Sequence, residues 1–152
     1  MKFSDLTREQ WTEWRPYLDT CLLPITGLNG LESPVEAADR LEELRDWLEL
    51  VETPFHGRVV TYPAYHYSSY GMNDNKDTLV AIQEVVRMVK RIGFKYVIIM
   101  SCQPHITKEN LSEADLIVTP YSVRVEEGKS IAEMIEIQVS EMWNQSQFDH
   151  QM

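Results

Sequence analysis

Apolar positions along this chain follow two periods that take turns. Tyr96 to Met100 is an unbroken apolar run rich in β-branched residues. A strand with one wet face would alternate, so a continuous run predicts a strand covered on both faces, as in a parallel sheet flanked by helices. Three more runs read as strands: Thr20 to Ile25, Gly57 to Tyr62 and Leu116 to Thr119. Pro24, near the end of the first, predicts that this strand is leaving its ladder there.

Helical spacing fills the intervals. Ala37, Leu41, Leu44, Leu48 and Val51 form one inward stripe. Leu79, Ile82, Val86 and Val89, widened by Val85 and Ile92, form a second. Ile131, Ile135, Val139 and Met142, with Trp143 near the end, form a third. Start and stop signals agree with these stripes. Thr7 with Gln10 has capping-box spacing and predicts a short helix through Trp11 and Trp14 that stops before Pro16. Ser33-Pro34-Val35-Glu36 and Ser130-Ile131-Ala132-Glu133 open two others, and Asn73 to Asp77 offers caps for the remaining one. Arg87, Lys90 and Arg91 followed by Gly93 mark a helix end.

The order β-α-β-α-β-β-α predicts a three-layer, Rossmann-like α/β fold. Its mostly parallel sheet has about four to five strands, with Tyr121 to Val125 as an edge hairpin that adds the last. Residues 1–152 read as one domain, with a polar, frayed tail over 144–152.

The 152 residues carry a net charge of −10. Nucleic acid and anionic membrane surfaces are poor partners for such a chain, because binding them rests on Lys and Arg. Eight acids against Arg40 and Arg45 crowd residues 32–52. They form a solvated outer face or, alternatively, a patch for a basic partner. Trp11 and Trp14 cover a core edge or dock a partner. No signal peptide or membrane segment is seen, and two cysteines, Cys21 and Cys102, make no disulfide framework. A reduced cytoplasmic protein is expected, with self-association left open.

Ligands of open α/β sheets sit outside the carboxyl ends of the strands. Tyr62, Tyr65, His66, Tyr67 and Tyr70 put four tyrosines and a histidine within nine residues after the second strand. Tyrosine supplies rigid contact area with a polar tip, so this loop is a covered sheet end or the wall of a site. Ser101, Cys102 and His105 follow the central strand and Tyr121 follows the last one. These nine residues are the candidate binding site.

Gly128-Lys129-Ser130 lacks the earlier glycine of a phosphate loop, where Val123 stands, and no dinucleotide fingerprint or nucleophile elbow occurs. Cys102 and His105 have the types for a thiolate–imidazole pair, without an evident orienting group. His66 and His105 could meet at one rim as metal ligands, but no paired histidine spacing supports that. No cofactor is expected.

Tyr17-Leu18-Asp19-Thr20 into Leu23-Pro24-Ile25, followed by Phe55-His56-Gly57-Arg58-Val59 and a Pro-then-Tyr loop, resembles the YpiF-like family of small Bacillus-type proteins without assigned function. Leu23-Pro24-Ile25 and Gly93-Phe94 before an apolar strand resemble the creatininase family of metal-dependent amidohydrolases. Its Glu-Gln-His-Gly metal motif would fall near Asn29-Gly30-Leu31-Glu32, which has no His. Its glycine-rich loop would fall on Ser101 to His105, which has no Gly. That resemblance implies a degenerate member. A non-catalytic binding or regulatory protein for a small molecule or a protein partner is the expectation. A creatininase-like hydrolase using His66 and His105 is the alternative.

Overall fold

The computed structural model describes residues 1–66 and 76–150, with side chains to residue 145. Tyr67, Tyr70 and the Asn73 to Asn75 caps lie outside the described residues. Four strands, β1 (Thr20–Ile25), β2 (Val59–Thr61), β3 (Tyr96–Ser101) and β4 (Leu116–Val118), form one parallel sheet in the order β2-β1-β3-β4. Helices α1 (Arg8–Trp14), α2 (Pro34–Glu52), α3 (Lys76–Ile92) and α4 (Ile131–His150) complete the α/β layers.

Both central strands are buried along their whole length, which is why neither alternates in sequence. Their side chains divide between two cores. Cys21, Leu23, Val97 and Ile99 meet Ile82, Val86 and Val89 of α3, with Trp11 and Trp14 of α1 packed against the edge. Leu22, Ile98 and Met100 meet Leu44 and Val51 of α2 and Ile135 and Val139 of α4 on the other face.

The caps form as their residues dictate. Thr7 and Gln10 exchange side-chain and backbone bonds at 3.0 and 3.1 Å. Ser33 accepts from the Glu36 N–H and Ser130 from the Glu133 N–H. Gly93 ends α3 at φ +129°, a conformation that favours glycine.

Several expectations need correction. Pro24 stays in the ladder opposite Met100. Its carbonyl accepts from the Tyr65 N–H. The N–H that proline lacks would point to the same side, where β2 has already ended. Leu41, Ile92 and Ile131 are exposed, because each helix buries a narrower stripe than its apolar residues span. Tyr121 to Val125 forms no edge hairpin. The Ser122 hydroxyl accepts from the Thr119 N–H and the Thr119 hydroxyl from the Tyr121 and Ser122 N–H groups, so the chain turns at once after β4. Among the described residues the sheet has four strands, within the expected four to five. Helical backbone of α4 continues past Trp143 to His150.

Candidate functional site

The strand order creates a switch point. From β1 the chain turns to α2 on one face and to β2 on one side, while β3 leads to β4 on the other. The carboxyl ends of two strands whose loops part in this way are the usual ligand position in open α/β sheets. At this position Ile25 and Ser101 stand opposite each other as the last pair of the ladder. The Ser101 hydroxyl is fully buried and donates to the Ile25 carbonyl at 2.9 Å, and it accepts from the Gln103 N–H. Above them the Gln103 side chain lies over Gly27 (φ +73°), so close that a Cβ there would sit 2.5 Å from its Cγ.

The loop after β2 returns to this end of the sheet. The Tyr65 N–H donates to the Pro24 carbonyl at 2.8 Å, and the Tyr65 carbonyl accepts from the Thr26 N–H at 3.1 Å. The Thr26 hydroxyl lies 3.2 Å from both the Tyr65 carbonyl and His66 Nδ1. It has one proton to give. When that proton goes to the carbonyl, His66 donates from Nδ1 and the hydroxyl accepts. Tyr65, His66, Ser101 and Cys102 are thus brought to the ends of β1 and β3.

The thiol of Cys102 is pushed up to about 12 by burial and by the Glu43 carboxylate, which accepts its hydrogen bond. It is protonated at neutral pH and a poor nucleophile, since the thiolate is the reactive form. His105 is held below its ordinary pKa by burial, which keeps its imidazole neutral. The Asn110 amide donates to its carbonyl at 2.9 Å and fixes the loop after β3.

The loop after β1 closes on itself. The Glu32 carboxylate accepts from the Asn29 and Gly30 N–H groups, each at 3.0 Å, and pairs with Arg40 at 3.1 Å. Arg40 also donates to the Gly27 carbonyl. These bonds hold Glu32 below the ordinary carboxylate range. In dinucleotide-binding sheets the N–H groups of this loop and the helix behind it face a phosphate. Here the chain's own carboxylate takes two of those N–H groups. The residue nearest a creatininase-type metal ligand is the same Glu32, engaged in an ion pair.

Two candidate residues lie elsewhere. The Tyr62 ring stands edge-on to Phe94, centroids 5.3 Å apart, and lines a cavity with Trp11 and Val60. Tyr121 is two-thirds exposed (67%) and lines a cavity of about 310 Å³ with Pro104, Ile106 and Thr119, between the loops after β3 and β4. Sequence reading placed Thr26 and Gly27 only in a turn, Gln103 only within the loop after the central strand, and Glu43 only among the acids of α2. Only Gly27, just past a strand, carried a local signal.

A family model described as "Protein of unknown function (DUF2487)" matches residues 9–147. The chain belongs to this family. The match takes in all four strands of the sheet and both layers of helices. No curated protein and no solved structure matches the DUF2487 chain. The expected uncharacterised family is met at that level. Among the described residues of this DUF2487 protein, no three His, Cys, Asp or Glu side chains are grouped to hold a metal ion, and no helix is long and apolar enough to cross a membrane.

Proposed function

We propose that this DUF2487 protein is a non-catalytic cytoplasmic binding or regulatory protein that takes its ligand or partner at the carboxyl rim of the sheet. Tyr65, His66, Ser101, Cys102 and His105 would border that site. One observation supports this reading above the others: the reactive groups of the rim are engaged in holding the rim. Ser101 and Thr26 bond backbone carbonyls, Glu32 closes its own loop, and the Cys102 thiol stays protonated beside Glu43. Binding needs such a rigid wall with a few polar tips, whereas nucleophilic catalysis needs a nucleophile beside a base.

The tied Glu32 also supports reading the creatininase resemblance as a degenerate, non-hydrolytic one. The YpiF-like resemblance carries no activity and sits easily with this proposal. The full chain is to be assayed against a panel of amides and esters, beside His66→Ala and His105→Ala. No turnover above the buffer blank is expected. Turnover that both substitutions abolish would establish the hydrolase instead. Metal content, measured on protein purified without chelator or metal-affinity tag, separates the two readings further: under about 0.1 metal per chain leaves the hydrolase without its ion.

A further inference from the structure

The cavity lined by Tyr62 lies on the face of β2 that carries Val60, under the N-terminal segment and α1. Its volume is about 330 Å³. That is within the range of small-molecule sites, roughly 300–1,000 Å³. Val60 of β2 contributes a buried floor, 1% exposed. Three rings stand around it in fixed relation. Trp11 and Phe94 are tilted at 34° with centroids 5.5 Å apart, and Tyr62 meets Phe94 edge-on. Arg15 stacks 5.6 Å from the Trp11 ring and donates to the Ile92 carbonyl, which holds the indole in place. Burial keeps the Tyr62 phenol above its ordinary pKa, so it remains a neutral hydrogen-bond donor. The Thr7 hydroxyl at the margin already accepts from the Gln10 N–H.

Among the residues lining the cavity, Arg8 is the one charged side chain. Arg15 adds a second positive charge behind Trp11. In a chain with a net charge of −10, an aromatic cavity whose charged edge is cationic selects against the protein's own sign. A planar ring packs well against aromatic faces and edges, and a guanidinium grips a carboxylate in two places. We propose that this cavity binds a small aromatic carboxylate, with its planar ring among Trp11, Tyr62 and Phe94 and its carboxylate on Arg8. The proposal is independent of the rim site, and neither depends on the other.

The test is a nitrogen–proton correlation spectrum of the full chain, titrated with 3-phenylpropionate, its primary amide and 3-phenylpropylamine. The Trp11 indole signal is assigned by its loss in Trp11→Phe. Saturable movement of that signal is expected with the carboxylate, with the amide about fivefold weaker and the amine weaker still. Arg8→Gln should bring the carboxylate down to the affinity of the amide and leave the amide unchanged, which also shows that the variant is folded. Tyr62→Phe should weaken both by about twofold to threefold. Movement of the Trp14, Trp47 or Trp143 signal in place of Trp11, equal binding of the amine, or an unchanged carboxylate affinity in Arg8→Gln would each overturn the proposal. So would a peptide with an internal Phe that binds more than tenfold tighter than the free acid, because the cavity would then be a peptide site.

Discussion

Replacing Trp143 tests how the last helix is fastened to the sheet. Its ring is 8% exposed, and its indole N–H donates to the Thr20 hydroxyl at 2.9 Å. That hydroxyl donates in turn to Asp19 at 2.9 Å. Asp19 is held by Arg58 through two bonds of 2.9 and 3.1 Å. The Arg58 guanidinium then lies 3.9 Å from the Trp143 ring centroid, and Phe55 meets the same ring edge-on at 5.0 Å. The circuit joins α4, β1 and the approach to β2.

Trp143→Phe removes the buried hydrogen bond, worth about 0.5–1.5 kcal/mol. It weakens the cation–π contact by up to about 1 kcal/mol, at the low end because Arg58 is partly exposed. It also leaves part of the indole volume empty, about 1 kcal/mol more. A loss of about 2–3 kcal/mol follows, or roughly 5–10 °C in Tm for a chain of this length. Urea unfolding of the single variants Trp143→Phe and Thr20→Val and of the double variant gives a thermodynamic cycle. Thr20→Val keeps the shape of the side chain and leaves the indole N–H buried with no acceptor. A coupling of about 1 kcal/mol is expected between the two positions. Additive variants, or a Trp143→Phe cost under about 0.5 kcal/mol, would show that packing alone fastens α4.

Three further outcomes follow from the rim. Cys102, with its thiol pushed up to about 12, should react with iodoacetamide at pH 8 far more slowly than an ordinary exposed cysteine, and Glu43→Gln should accelerate it several-fold; mass spectrometry of the native protein reads both rates, and fast labelling of the unaltered protein would contradict the placement of Glu43. Gly27→Ala should cost about 2 kcal/mol or more in urea unfolding, because φ is +73° and the new Cβ meets Gln103 at 2.5 Å; adding Gln103→Ala should recover the steric part and leave the backbone part, about 1 kcal/mol, and no recovery would mean that Gln103 does not cover Gly27. Because the folded pKa of His105 lies below its ordinary 6.5, the unfolded chain binds more protons between the two values, so stability should fall as pH drops through about 6.5 and level off below the folded pKa. His105→Gln should flatten that part of the curve, and parallel curves for the two proteins would assign the loss to other groups.

The local chemistry of the chain was enough to place its elements. β1 has the boundaries that Thr20 to Ile25 predicted, and β3 needed only Ser101 added, because a run of β-branched residues with no polar interruption fits only a position buried on both faces. The starts of α1, α2 and α4 followed from Thr7, Ser33 and Ser130, since a cap is a bond between residues three apart. Tyr121 to Val125 alternated as a strand should, yet alternation does not supply a partner, and local hydroxyl bonds turned the chain first. Strand order and register depend on contacts between residues far apart in the chain, and no short-range pattern encodes them. Tertiary structure alone therefore decided that Tyr65 and His66 return to β1, that Tyr62 and Tyr121 face separate cavities, and that Glu43, 59 positions before Cys102, holds its thiol protonated. A side chain's pKa and its neighbours are properties of the space around it, and in this chain that space is assembled from segments that sequence reading can place singly but not together.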